Sequence, residues 1–359
     1  PAKSTKSGPG PTKASPPTTK QFVMKNRFLS PCLFLGLFLN LFLSLFLAES
    51  TFARDAELSK LDLHSKPSNV PNSPTEPNSP TDTNTTDLLT DLLLVDENPA
   101  AQPVAYTFKS TRVINTHSIE NVAAGVLDFR IMHRFGAING GWYELWGLDQ
   151  ASMRMSLDYG ITPRLMVGGG RSNVGKSYDG FIKYKIIRQS GGGRGAKPFS
   201  LSYVAGTILS AQRWADPERK NYFSSRLSYY HQLLLAKKIS ADLSLQVTPT
   251  LLHRNLVSGP EIPNTLMAIG TGGRIKIGPR ASLNADYIWV PKADVLGTRN
   301  SLSLGMDIET GGHVFQLHVT NSRGLNEAQF IADTRGNWND GSIYFGFNLS
   351  RVFTVREPR

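Results

Sequence analysis

The strongest constraint in this sequence is a hydrophobic repeat of two that runs through most of its second part. In Leu127-Asp128-Phe129-Arg130-Ile131-Met132-His133-Arg134-Phe135, apolar and polar side chains alternate almost without a break. The same alternation recurs in Met153–Tyr159, Ala241–Val247 and Leu302–Glu309, and again in "FQLHV" and "IYFGFNLS" near the C-terminal end. A period of two places each set on one face of a β-strand. Approximate strands fall at 125–135, 151–160, 163–170, 179–188, 198–210, 222–233, 239–250, 264–276, 281–291, 301–309, 312–321 and 342–353. Short turns such as Gly160-Ile161-Thr162-Pro163 and Gly311-Gly312 join several of them, so an antiparallel meander is the simplest connection.

Such a pattern fits a soluble sandwich with its apolar face inward, or a membrane barrel with its apolar face toward lipid and a polar lumen. The polar faces carry Arg130, Asp158, Asp286, Asp307 and Glu309, which suit a wet interior. Trp142, Tyr143, Trp146, Tyr287 and Trp289 lie near inferred strand ends, where an aromatic girdle would use them. The expectation is an all-β, antiparallel transmembrane β-barrel of about twelve strands.

The N-terminal part points to export. Met24, Lys25 and Arg27 precede the apolar run Phe28–Ala48, and Thr51-Phe52-Ala53 offers small residues at a cleavage site. Residues 24–53 therefore read as a secretory signal, with an uncleaved anchor as the rival, and residues 1–23 as a disordered or misassigned upstream extension. Residues 54–100, rich in Pro, Asn, Thr and Ser, read as a flexible acidic linker, and 101–359 as the barrel. The single cysteine, Cys32, lies in the apolar run, so no disulfide framework or thiol chemistry is expected of the barrel.

The formal charge of +11 is uneven: +5 over residues 1–53, −6 over 54–100 and +12 over 101–359. No nucleic-acid-binding motif accompanies the basic balance, so nucleic acid is not an expected partner; anionic lipid or lipopolysaccharide remains compatible with it. Candidate lumen or rim charges are Arg130, Arg154, Arg171, Lys176, Lys183, Lys185 and Arg274, with Arg134, Arg226 and Lys276 beside them. A lumen lined by these cations would favour anions, unless Asp128, Asp158, Asp242 and Asp286 pair with them, or folded-in loops fill the interior.

One motif argues for different chemistry. Gly170–Ser177, "GRSNVGKS", fits the phosphate-loop pattern G-x-x-x-x-G-K-[ST] and resembles the loop of bacterial ribosome-assembly GTPases. Phosphate binding requires a strand before the loop and a helix after it. The segment that follows, Phe181–Ile187, is β-branched and aromatic and reads as a strand. No guanine-reading segment or series of βαβ units follows. The motif is expected to be a hairpin from about Arg171 to Tyr178. A Ser–His hydrolase built on Ser228 and His231, with Ser202 and Ser244 on neighbouring strands, is a further alternative, but no G-x-S-x-G elbow is present. The histidines show no metal-ligand spacing, and no cofactor is expected.

Three stretches, "STRVINTHSIENVAAGVLDFRIMHRFG", "LWGLDQASMRMSLDYGITPRLMVGGGRSN" and "YDGFIKYKIIRQ", resemble an uncharacterised Bacteroidota family of predicted outer-membrane β-barrels, from about Tyr106 to the last strand. The resemblance implies a barrel in contact with outer-membrane lipid and supplies no reaction and no catalytic residues. Expected uses are passage or binding of a small solute, with a weak preference for anions, or docking of a periplasmic protein through residues 54–100.

Overall fold

The computed structural model describes residues 100–291, 293–294 and 296–357. Twelve strands form one closed antiparallel barrel. In chain order they are β1 Val126–Ala137, β2 Ala151–Gly160, β3 Leu165–Ser172, β4 Ser177–Ile187, β5 Ser200–Ser210 and β6 Leu227–Lys238. There follow β7 Leu243–Arg254, β8 Thr265–Lys276, β9 Ala281–Trp289, β10 Ser301–Thr310, β11 His313–Thr320 and β12 Tyr344–Thr354. Each strand pairs with the next, and β12 pairs with β1 to close the wall, with Leu127 opposite Phe353. Closure leaves no unpaired edge, a condition that lipid imposes on any sheet crossing it.

The alternation read from the sequence is the alternation of the wall. Along β2, Met153, Met155 and Leu157 are exposed on the outside, and Ser152, Arg154, Ser156 and Asp158 are buried inside. The outer surface continues with Ile182, Leu233, Val247, Met267, Leu283 and Leu304, an apolar band that only hydrocarbon can solvate favourably. Among the described residues no helix is long and apolar enough to cross a membrane, so the crossing elements are the strands. Tyr287 and Trp289 face outward at the end of β9, while Trp142 and Tyr143 lie in the β1–β2 loop beyond the strand ends.

Strand positions differ from the periodicity most at β6 and β7. Their spans lie about four or five residues later than 222–233 and 239–250. Tyr222 and Phe223, aromatic residues that resemble a strand start, sit instead in a loop that ends in the short 3₁₀ turn Phe223–Arg226. The β6–β7 turn falls at 239–242, where the Ser240 hydroxyl accepts from the Leu243 N–H at 3.1 Å.

The two ends of the barrel are unlike. At one, the connections are 161–164, 188–199, 239–242, 277–280 and 311–312, and here also β1 begins and β12 ends. At the other, longer loops span 211–226, 290–300 and 321–343. They are called below the turn end and the loop end. The proposed signal and linker, residues 1–23, 24–53 and 54–100, lie outside the described residues except for Ala100.

Candidate functional site: a lumen filled from both ends

Residues 104–125 precede the first strand and occupy the barrel interior. The segment enters at the turn end, where the Val104 N–H donates to the Gln189 carbonyl at 2.9 Å. It rises as a narrow hairpin, held by Ser118 N–H to Thr111 carbonyl at 3.0 Å and Val113 N–H to Thr116 carbonyl at 2.9 Å. It returns to the turn end, where the Gly125 N–H donates to the Gly160 carbonyl at 2.8 Å. Phe108, Val113, Ile114, Asn115, His117 and Ile119 are all buried. The periodicity did not reveal this tongue because, beyond the few backbone bonds of its own hairpin, its partners are wall side chains and not a neighbouring wall strand.

The wall is built to receive it. Asp286 accepts from the Asn115 and Thr116 N–H groups at 2.7 and 3.2 Å, and Ser303 accepts from the Asn115 amide at 2.8 Å. Gln246 donates to the His117 carbonyl at 2.7 Å, and Gln316 to the Val113 carbonyl at 2.6 Å. Lys183 donates to the Ser118 and Glu120 carbonyls. Lumen-facing glycines provide the room: a Cβ on Gly272 would stand 3.1 Å from Val113, and one on Gly305 3.2 Å from Ile114.

From the loop end, the β11–β12 connection folds inward and carries the short helix α1, Glu327–Ala332, capped by the Asn326 side chain on the Gln329 N–H. Tongue and helix meet in the middle. Arg112 donates to Glu327 at 2.7 Å, and His117 Nε2 lies 3.4 Å from the same carboxylate oxygen. Arg134 ties both pieces to the wall, donating to Asn115 on the tongue and to the Ser322 and Gly324 carbonyls of the loop. No functional role was expected of Arg112, Asn115, His117 or Glu327, and no spacing in the sequence links residues 112 and 327.

The sequence-derived charges fall into three places. Arg130, Arg154, Lys183 and Arg274 are buried in the lumen; Arg130 pairs with Asp128 at 2.8 Å, Arg154 is held bidentately by Asp179, and Arg274 donates to Ser282 at 3.1 Å. Lys185 lies toward the turn end, 3.8 Å from Glu120. Arg171 and Lys176 are exposed at the loop end, Arg171 on the outer face against Tyr178. Arg226 is not on a lumen-facing strand position: it precedes β6, donates to the Ser210 and Gln212 carbonyls, and stacks over Trp214. Lys276 is exposed at the turn end of β8. The buried charged side chains of the strands are Arg130, Arg134, Arg154, Lys183 and Arg274 against Asp128, Asp158, Asp179, Asp286 and Asp307, five of each sign.

The phosphate-loop pattern is the β3–β4 hairpin, with a turn of only residues 173–176 and a strand, β4, where a helix would have to begin. Its residues have structural tasks. A Cβ on Gly170 would stand 2.7 Å from the Met155 carbonyl oxygen and 2.8 Å from the Arg154 guanidinium. Gly175 adopts a positive φ of 62° in the turn. The Ser177 hydroxyl accepts from Asn326 at 2.9 Å, and the Val174 carbonyl from Gln329 at 2.8 Å, so the hairpin braces α1. Ser202 and Ser244 are buried on the lumen side, whereas His231 faces outward and shares a hydrogen bond with Tyr203 at 2.6 Å, so the wall separates these groups. Among the described residues no group of three or more His, Cys, Asp or Glu could hold a metal ion.

No curated protein matches the chain. Solved barrels resemble it in shape at low identity. The NanC porin matches at 10% identity and a TM-score of 0.40, over 64% of this chain and 98% of that one. The KdgM porin matches at 7% identity and 0.39, over 64% and 99%. Outer membrane phospholipase A from Escherichia coli matches at 12% identity and 0.34, over 63% and 92%. Nothing those proteins carry or react with transfers to this chain at that level of likeness. Residues 108–353 match one family model, and this span takes in most of the tongue, the whole barrel wall but Thr354, and the folded-in loop. The chain therefore belongs to the family described as Membrane bound beta barrel domain (DUF5777).

Proposed function

We propose that this outer-membrane barrel is a gated passage for small polar solutes, closed in the described state by its own chain. One observation carries the reading: the lumen wall sets five buried acids and five buried bases among apolar side chains such as Phe181, Tyr230 and Leu234, and the tongue and the β11–β12 loop fill it. A barrel that served only as a scaffold would have no need of these ten buried strand charges, which are costly to desolvate. The polar network holds Asn115, Thr116 and the Val113 and His117 carbonyls through hydrogen bonds, which water can replace when the tongue leaves, while Phe108, Val113 and Ile119 pack on the apolar part of the wall.

In this reading residues 24–53 direct export, residues 54–100 form the linker on the periplasmic side, and the Bacteroidota resemblance gives the cell type. The anion preference expected from the strand cations is weakened by the equal number of buried acids, so selectivity would rest on size and polarity.

Conductance in planar bilayers tests the proposal. The wild-type barrel is expected to be mostly closed, with brief openings. Glu327→Ala, which removes the partner of Arg112, is expected to raise the open fraction severalfold. A folded variant lacking tongue residues 107–121 that still carries no current and no small-solute flux would sink the idea.

A further inference from the structure

The outer surface carries a second feature, independent of whether the barrel conducts. At the loop end, the β3–β4 turn and the β5–β6 loop lie side by side, joined by Ala211 N–H to the Lys176 carbonyl at 3.0 Å. Residues 171–176 and 211–226 hold six cations, Arg171, Lys176, Arg213, Arg219, Lys220 and Arg226, against Asp216 and Glu218. Among the described residues none of the six forms an ion pair. Three rest on aromatic faces instead: Arg171 on Tyr178 at 5.6 Å, Lys220 on Tyr222 at 5.2 Å and Arg226 on Trp214 at 4.0 Å. Arg226 also donates to the Ser210 and Gln212 carbonyls and Arg171 Nε to the Tyr178 hydroxyl, which orients both guanidinium groups, and cations seated on aromatic rings mark the level of a membrane interface.

Below this rim, the apolar wall is indented. A groove of about 570 Å³ opens on the outer face of β5–β9, lined by Tyr203, His231, Leu233, Pro249, Met267 and Trp289. Its floor lies where the β6–β7 ladder is interrupted, between the pairs Gln232–Thr250 and Leu235–Val247, at Pro249, which has no N–H to donate. The hydrogen-bonded Tyr203–His231 pair is a polar spot on an otherwise apolar face. His231 is five residues along the chain from Arg226, roughly 16 Å at strand rise. A basic rim, an interfacial aromatic belt and an apolar groove one acyl-chain reach below match an amphiphile with an anionic head.

We propose that this sector seats a phosphorylated glycolipid of the outer leaflet, the lipid portion of lipopolysaccharide, with its phosphates on the arginine-rich rim and one acyl chain in the groove. Two facts favour it over a glycerophospholipid. The cations are spread over two loops, which suits a broad head with more than one phosphate, and they lie at the loop end, which in outer-membrane barrels faces the exterior leaflet.

The test uses the full chain folded in detergent micelles, with binding measured for the phosphorylated glycolipid, its dephosphorylated form and phosphatidylglycerol. The expected result is at least tenfold tighter binding to the phosphorylated glycolipid than to either other lipid, and a tenfold loss in the triple variant Arg171→Ala/Lys176→Ala/Arg213→Ala. Met267→Trp, which fills the groove from an exposed position, is expected to weaken binding severalfold with the salt dependence unchanged. Should the triple variant fail to fold, salt titration of the wild type serves in its place, with affinity expected to fall as salt rises. Equal affinity for phosphatidylglycerol, or binding indifferent to phosphate, to the three cations or to salt, overturns the proposal.

Discussion

Arg112 and Glu327, 215 residues apart in the chain, share a hydrogen-bonded ion pair at 2.7 Å with both side chains almost wholly buried. It is the point where the piece folded in from the turn end touches the piece folded in from the loop end. Removing one partner of such a pair leaves a buried charge with nothing to face. Glu327→Ala is therefore expected to cost about 3–5 kcal/mol of stability. Urea-induced unfolding followed by tryptophan fluorescence measures it, and protease cutting within 104–125 should rise at urea concentrations below the main transition.

The tongue's place in the lumen can be fixed covalently. A Cβ on Gly270 would lie 3.5 Å from the Thr116 Cγ2 atom, which puts a Thr116→Cys/Gly270→Cys pair within disulfide reach. In a Cys32→Ser background the oxidised variant is expected to lose the brief openings of the wild type and to regain them on reduction. The ring it closes is long, so stabilisation of about 4–5 kcal/mol is expected if native geometry is kept. Failure of the two thiols to join under mild oxidant would place the tongue elsewhere.

The Gly170–Ser177 motif makes a sharp pair of predictions. Gly170→Val pushes a side chain into the Met155 carbonyl and the Arg154 guanidinium and should destabilise the barrel by about 1–3 kcal/mol. Lys176→Ala changes an exposed turn residue and should stay within about 0.5 kcal/mol. A phosphate loop would give the opposite ranking in a nucleotide-binding assay, with Lys176 dominant. Thermal melts with and without nucleoside triphosphate separate the two.

Asp179 holds Arg154 by two hydrogen bonds across the lumen wall. Asp179→Ala alone is expected to cost about 3–5 kcal/mol, while Arg154→Met/Asp179→Leu should recover much of that loss, because the uncompensated charge goes with its partner. A double-mutant cycle on refolding yield and urea midpoint reads the coupling.

How much of this was legible depends on where each residue finds its partners. The wall was legible because Met153, Met155 and Leu157 must face one solvent and Arg154, Ser156 and Asp158 another, and a period of two records that locally. The β6 boundary was not, because Tyr222 and Phe223 have strand-like side chains but sit in a loop at the membrane interface. The Gly170–Ser177 hairpin was legible from the β-branched run after it, yet not the reason for Gly170, which lies in the Met155 carbonyl and the Arg154 guanidinium of the neighbouring strand. The tongue's place in the lumen left no trace in the periodicity, since Asn115 answers to Asp286 and Ser303, and Arg112 to Glu327. A sequence displays a residue's face when its neighbours share the same constraint, and hides it when the constraint comes from across a lumen.

One covalent detail governs the kinetics of any opening. Gly125, at the downstream foot of the tongue, is followed at once by the first wall strand, and its carbonyl accepts from the Val355 and Arg356 N–H groups at 2.9 and 3.0 Å beside the closing seam. Its positive φ of 77° and the crowding of the Arg356 carbonyl leave no room there for a Cβ. A tongue that leaves the lumen stays tied to the wall at Gly125 and cannot diffuse away. Its local concentration at the lumen mouth stays high whatever the amount of protein in the membrane. Closing is then a first-order event, with a rate that neither dilution nor crowding of barrels in the bilayer should change.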